Sequence, residues 1–265
     1  MTTLTDTHSH LYAAEFDDDR EEAFARATAA GVGHLLLPAI DSESHEALFD
    51  LCRRHPDVCL PMMGLHPTSV NDNPRWREEL ELAEHYLKNP PAGLPGFCAV
   101  GEIGLDFYWS AEFRSEQTEA FRRQCRLAVD LDLPVAIHTR AAWPEMLALV
   151  EEFRGSGLRG VFHAFSETAD TYRKLCACGD FLFGIGGVVT FRKSALADTV
   201  REMDPERLLL ETDCPYLTPA PHRGERNESA YVRHVCDKVA ELLGIPSDEL
   251  AAVTTRNAKR MFKGL

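Results

Sequence analysis

Short apolar runs recur along the chain, each followed by a longer stretch in which apolar residues return every three or four positions. The runs predict strands at Leu4 to His8, Gly33 to Ile40, Val58 to Met63, Phe97 to Glu102, Val135 to His138, Gly160 to His163, Phe181 to Ile185 and Leu208 to Glu211. The stretches between them predict helices over Arg20 to Ala30, stopped by Gly31, and over Ser42 to Arg54, behind a capping Asp41. Further helices are predicted over Pro74 to Leu87, Ser115 to Leu131, Trp143 to Phe153, Thr168 to Cys178 and Ser194 to Met203. Two more, Ser229 to Leu243 and Ser247 to Phe262, flank Gly244-Ile245-Pro246 and close the chain. Eight strands alternating with helices argue a parallel sheet, and eight units argue closure into an α/β (β/α)8 TIM barrel. An open doubly wound sheet would carry a glycine-rich phosphate loop after its first strand, and none follows Leu4 to His8. With no linker, short repeat or low-complexity segment, residues 1–265 are expected to form one domain.

Charge narrows the partners. The chain has 28 Lys and Arg against 42 Asp and Glu, a net charge of −14, which argues against a broad nucleic-acid-coating face and leaves room only for a local basic site. No apolar run approaches the ~18 residues of a membrane span, and the N-terminus lacks the features of a secretory signal, so a cytoplasmic protein is expected. Eight cysteines occur without a CxxC pair, which is not zinc-finger spacing; free, mostly buried thiols are expected.

Polar residues interrupt the apolar strands at their C-terminal ends: His8-Ser9-His10, Gly101 to Asp106, His138, His163, and Glu211-Thr212-Asp213. In a barrel these ends ring one mouth, where enzymes of this architecture place their chemistry. Side chains at i and i+2 share a strand face, so His8 and His10 can chelate one ion. Four histidines and two carboxylates exceed the needs of one tetrahedral ion and point to two divalent cations, ~3.5–4 Å apart. One would take His8, His10 and Asp213, the other His138 and His163, with Glu102 bridging. Mixed imidazole and carboxylate donors suit Zn, Mn, Fe, Co or Ni better than an all-oxygen Mg site, without fixing which ion is used. Such a pair would activate a water molecule, with Asp213 orienting or deprotonating it and Glu211 as an outer support. Gly101 and Gly104 are expected to leave room around Glu102.

Six segments carry a family resemblance: Thr7 to Leu11, Gly64-Leu65-His66-Pro67, Gly101 to Asp106, Leu133 to Arg140, His163-Ala164-Phe165-Ser166 and Glu211 to Leu217. In that order they resemble the TatD family of metal-dependent hydrolases, commonly described as deoxyribonucleases, over roughly residues 6 to 260. The resemblance implies an amidohydrolase-like TIM barrel and a binuclear site on His8, His10, Glu102, His138, His163 and Asp213. It also implies phosphodiester hydrolysis, often 3′-to-5′ exonuclease action on DNA. The chain departs from the family after Leu217, where Pro221 to Ser229 carries Glu225 and Ser229 in place of a lysine and a proline.

Phosphates need positive groups beyond the metals, and His66, Arg140, Arg192, Lys193, Arg223 and Arg226 are candidates at the same mouth. Phe107, Tyr108 and Trp109 could stack on a base. The leading expectation is therefore a monomeric, two-metal exonuclease acting on short single-stranded DNA ends. Hydrolysis of an amide, lactone or aminoacyl ester by the same site is the alternative, and a non-catalytic protein that keeps its metals for stability is a third reading.

Overall fold

In the computed structural model, which describes residues 3–265, eight parallel strands follow in sequence order around one sheet. They are β1 (Leu4–Asp6), β2 (Val32–Pro38), β3 (Cys59–Met63), β4 (Ala99–Asp106), β5 (Val135–Arg140), β6 (Arg159–Phe162), β7 (Asp180–Ile185) and β8 (Leu208–Leu210). The intervening helices are α1 (Arg20–Ala29), α2 (Ser42–Arg54), α3 (Trp76–Lys88), α4 (Arg114–Asp130), α5 (Trp143–Glu152), α6 (Ala169–Cys178) and α7 (Leu196–Val200), followed after β8 by α8 (Val232–Leu243) and α9 (Ser247–Met261). The ring closes where β1 and β8 run out: Thr7 N donates to Leu210 O (3.0 Å), Asp213 N to His8 O and His10 N to Cys214 O (both 2.9 Å). This is the expected TIM barrel.

Strand alternation sorts the core into two layers. Leu35, Leu37, Val135, Ile137, Phe181, Phe183, Leu208 and Leu210 point outward and pack with the helices. Leu36, Leu60, Met62, Ala136, Val161, Leu182 and Leu209 form the interior and meet Ala258, Met261 and Phe262 at the end of α9. Helix α9 lies across the N-terminal end of the barrel. Its Asn257 Nδ2 donates to Pro205 O and Leu208 O (2.8 and 2.9 Å), and Thr255 Oγ1 to Thr3 O (2.9 Å). The barrel is thus plugged at the bottom, and its interior opens at the C-terminal strand ends.

Local chemistry explains most boundaries. Asp41 caps α2 as expected, its carboxylate accepting from Glu43 N (3.2 Å) while Ser44 Oγ accepts from Asp41 N (3.2 Å). Strand β1 ends at Asp6, two residues before His8; Asp6 still pairs with Leu35, while its carboxylate accepts from Thr212 N (2.9 Å) and Thr212 Oγ1 (2.6 Å). Helix α7 is shorter than Ser194 to Met203, and at its start Ser194 Oγ accepts from Leu196 N, a local bond that competes with the helical one. All eight cysteines are free, and six of them are buried.

Candidate metal centre

The interior row that is apolar at the bottom turns polar at the top. Two residues beyond Ala136, Val161 and Leu209 stand His138, His163 and Glu211, on the same inward face. Register shifts in β4 between Val100 and Ile103, and this irregularity carries Glu102 into the ring. The expected role of the neighbouring glycines is corrected here: a Cβ on Gly104 would collide with the His138 carbonyl and one on Gly101 with Ala136, so both permit close approach of β5 and neither makes room around Glu102. Gly184 makes room for Glu211 instead, since a side chain there would overlap the Glu211 carboxylate.

Glu102 is the hub, and its two oxygens face different partners. Oε2 lies 3.0 Å from His8 Nε2 and 3.7 Å from His10 Nε2. Oε1 lies 3.0 Å from both His138 Nδ1 and His163 Nε2, and 3.3 Å from His66 Nε2. Asp213 Oδ1 completes the first group, 3.6 Å from His10 Nε2 and 3.9 Å from His8 Nε2. All six expected metal ligands therefore converge on one point, in two groups that share Glu102.

The outer nitrogen of each ring decides what the inner one can do, because a neutral imidazole has one N–H and one lone pair. Tyr12 donates its hydroxyl proton to Pro38 O (2.5 Å), so its oxygen accepts from His10 Nδ1–H (2.9 Å) and Nε2 keeps a lone pair. Asp106 Oδ2 accepts from His138 Nε2–H (3.0 Å), freeing Nδ1. Glu211 Oε1, itself anchored by Ala164 N (2.5 Å), lies 3.5 Å from His163 Nδ1 and favours the same arrangement there. His66 is reversed. Thr68 N donates to its Nδ1 (3.2 Å), which puts the proton on Nε2 and makes the inward edge a donor.

Electrostatics agree with a cation site. Burial pushes the Glu102 carboxyl up, but protonated imidazoles at His163, His8 and His66 and a hydrogen bond from His138 outweigh it and hold the group well below the usual carboxylate range; those inward protons stand where a divalent cation would displace them and take up the lone pairs. Asp213 is likewise held low against burial, by its hydrogen bond with His10 and the nearby imidazoles. Among the described residues, buried His8 Nδ1 and Glu211 Oε2 have no hydrogen-bond partner, an arrangement that costs free energy unless something else engages them. Candidate ligand atoms of His8, His10 and Asp213 lie within 4.8 Å of one another, as do those of His66, Glu102 and His138; in the second group the inward N–H of His66 leaves Glu102 and His138 as the atoms able to bind a cation. Lone-pair nitrogens, ionised carboxylates and outer hydrogen bonds of this kind are what divalent cations require, so the residues fit such ions.

Above this floor opens a cavity of about 630 Å³, lined among others by His10, His66, Asp106, Trp109, Arg140, Asp213 and Tyr216. Of the expected phosphate contacts, the structure brings His66 and Arg140 to it. It does not bring the other four. Arg226 turns away to Asp19 (2.7 and 2.8 Å) and lies over the Phe16 ring, while Arg223 donates to Thr218 O (2.7 Å) over the Phe191 ring. Arg192 and Lys193 are exposed beside that loop and do not line the cavity. Phe107 is buried beneath Arg114, so it has no face to offer a base. Sequence reasoning assigned no role to Tyr12, Thr68 or Asp106. A signal existed, since Tyr12 and Thr68 lie two positions beyond His10 and His66, and Asp106 lies four beyond Glu102.

Residues 5–263 match the family described as TatD related DNase. The chain belongs to the TatD family. It is 35% identical to the uncharacterized metal-dependent hydrolase YabD of Bacillus subtilis, over 98% of this chain and 99% of the relative. It is also 35% identical to the 3′-5′ ssDNA/RNA exonuclease TatD of Cronobacter sakazakii, over 98% and 97%. Among solved structures, YJJV, a TatD homologue from Escherichia coli, superposes with a TM-score of 0.89 at 28% identity, covering 98% of this chain and 97% of that one. The protein is thus a metal-dependent hydrolase of the TatD family, and no helix among its described residues is long and apolar enough to cross a membrane.

Proposed function

We propose that this TatD-family hydrolase removes nucleotides from single-stranded DNA ends in the 3′-to-5′ direction, as a monomer holding two divalent cations. His8, His10 and Asp213 would hold one ion, His138 and His163 the other, and Glu102 both. When bound, the cations supply an acidified water and neutralise charge on the phosphoryl oxygens. Asp213 orients the attacking water and accepts its proton. The water oxygen bonds to phosphorus, the bond to the 3′-oxygen of the preceding nucleotide breaks, and solvent protonates that oxygen. His66 donates its Nε2–H to a non-bridging oxygen, and Arg140, which has no acidic partner within salt-bridge distance among the described residues, holds a phosphate.

The observation that carries this reading is the pairing of a buried carboxylate, ringed by the nitrogens of His8, His138 and His163 at 3.0 Å, with an arginine on the same cavity. The relatives named as exonucleases support its substrate class. The test is cleavage of a 5′-labelled single-stranded oligonucleotide by chelator-stripped protein resupplied with Mg²⁺ or Mn²⁺. A ladder shortening from the 3′ end is expected. No cleavage by folded, metal-loaded protein that hydrolyses carboxylic esters or amides would overturn the reading.

A further inference from the structure

Large apolar side chains are exposed in few places among the described residues: Trp109 (68%), Tyr108 (59%), Tyr216 (55%) and Leu217 (37%). All four sit on two loops at the mouth, and Trp109, Tyr216 and Leu217 line the cavity. The loops follow β4 and β8, four strands apart in a ring of eight, so they face each other across the opening. Tyr216 stands against the floor, its ring centre 6.5 Å from that of His10. Trp109 is braced on the opposite wall, edge-on to Tyr108 at 5.1 Å, and the Arg140 guanidinium covers the Tyr108 ring at 3.8 Å.

Apolar rings kept in water on either side of a polar floor mark a site for a ligand with flat apolar faces. An arginine beside them, in a protein of net charge −14, adds a requirement for an anion. A nucleobase joined to a phosphate meets both requirements, and aromatic platforms bind bases without regard to sequence. We propose that the mouth is a two-base clamp. Tyr216 stacks on the base of the terminal nucleotide, Trp109 stacks on the base next to it, and Arg140 engages a phosphate beside them. The clamp rests on the nuclease reading and deepens it. Both bases must leave their neighbours to enter, so paired ends are cleaved only after fraying and a trinucleotide outruns a mononucleotide ester.

The test compares kcat/KM on two 5′-labelled single strands, one complete and one with an abasic unit at the penultimate position. The metal-loaded wild type is expected to favour the complete strand about tenfold, as the loss of one base stack predicts. Trp109→Ala should lose that preference while unfolding at the wild-type temperature, and Trp109→Phe should restore much of it. Tyrosine 216 is tested in the same way: Tyr216→Ala should erase discrimination against a terminal abasic unit only. Binding of the complete strand should also quench tryptophan emission in the wild type, and the quenching should vanish in Trp109→Phe. Equal cleavage of both strands by the wild type, or an undiminished preference in Trp109→Ala, overturns the clamp and leaves the nuclease reading intact. Cleavage of neither strand overturns both.

Discussion

Two arginine-bearing regions flank the mouth, the end of β5 with Arg140 and the loop after β8 with Arg223 and Arg226. In the sequence they are equivalent, each an arginine beside a motif of the candidate site. In the folded chain they differ in what already neutralises them. Arg226 is held by the Asp19 carboxylate through two nitrogens, and Arg223 is spent on a backbone carbonyl. The Arg140 guanidinium lies over the Tyr108 and Trp109 rings, has no salt-bridge partner among the described residues, and lines the cavity. A positive charge whose partner is supplied from within supports the fold, and one left without a partner at a cavity supports binding.

The comparison sharpens into graded expectations. Glu102→Ala sets the upper limit: it removes the carboxylate shared by both donor groups, and kcat should fall on the order of 10³-fold, read by oligonucleotide hydrolysis. Arg140→Ala comes next, with kcat/KM down ~10–100-fold, the range of a lost hydrogen bond to a charged group, and with melting unchanged. Equal losses in Arg140→Ala and Arg226→Ala would erase the distinction between the two regions. Tyr12→Phe removes the acceptor that fixes the His10 tautomer, and metal affinity measured by competition with a chelating dye should drop ~10-fold.

Arg226→Ala should be the mildest in activity, within about twofold of wild type, and should instead cost ~0.5–1 kcal/mol of stability in denaturant titration. The sign of its pH dependence follows from Asp19, whose carboxyl is held well below its ordinary value by hydrogen bonds from Arg226 and then Arg26. The contribution is complete above about pH 4, the ordinary aspartate value, and is lost as pH falls toward the depressed one. The stability gap between wild type and Arg226→Ala should therefore close in acid and stay constant from neutral to mildly alkaline pH.

Much of this architecture was legible because a parallel barrel puts the same demand on every strand. Each must be apolar on both faces, so Gly33 to Ile40 or Val135 to His138 stands out, and a histidine at such a run's end is conspicuous. What was not legible depends on direction. Nothing local says that Arg226 swings to Asp19, 207 positions away, or that Thr68 donates to His66 and reverses its tautomer relative to His10. The fastening of β8 to β1 by Asp6 and Thr212 is equally remote in sequence, and it is what sets Asp213 beside His10.

The central claim is that two cations are held by rings whose inward nitrogens carry lone pairs, with His66 outside that set. Metal content per folded chain, measured by plasma mass spectrometry after dialysis against Mn²⁺ or Zn²⁺, tests it most directly. The account predicts two ions in the wild type and in His66→Ala, and one or fewer in His138→Ala. Loss of an ion from His66→Ala, with two retained in His138→Ala, would contradict it.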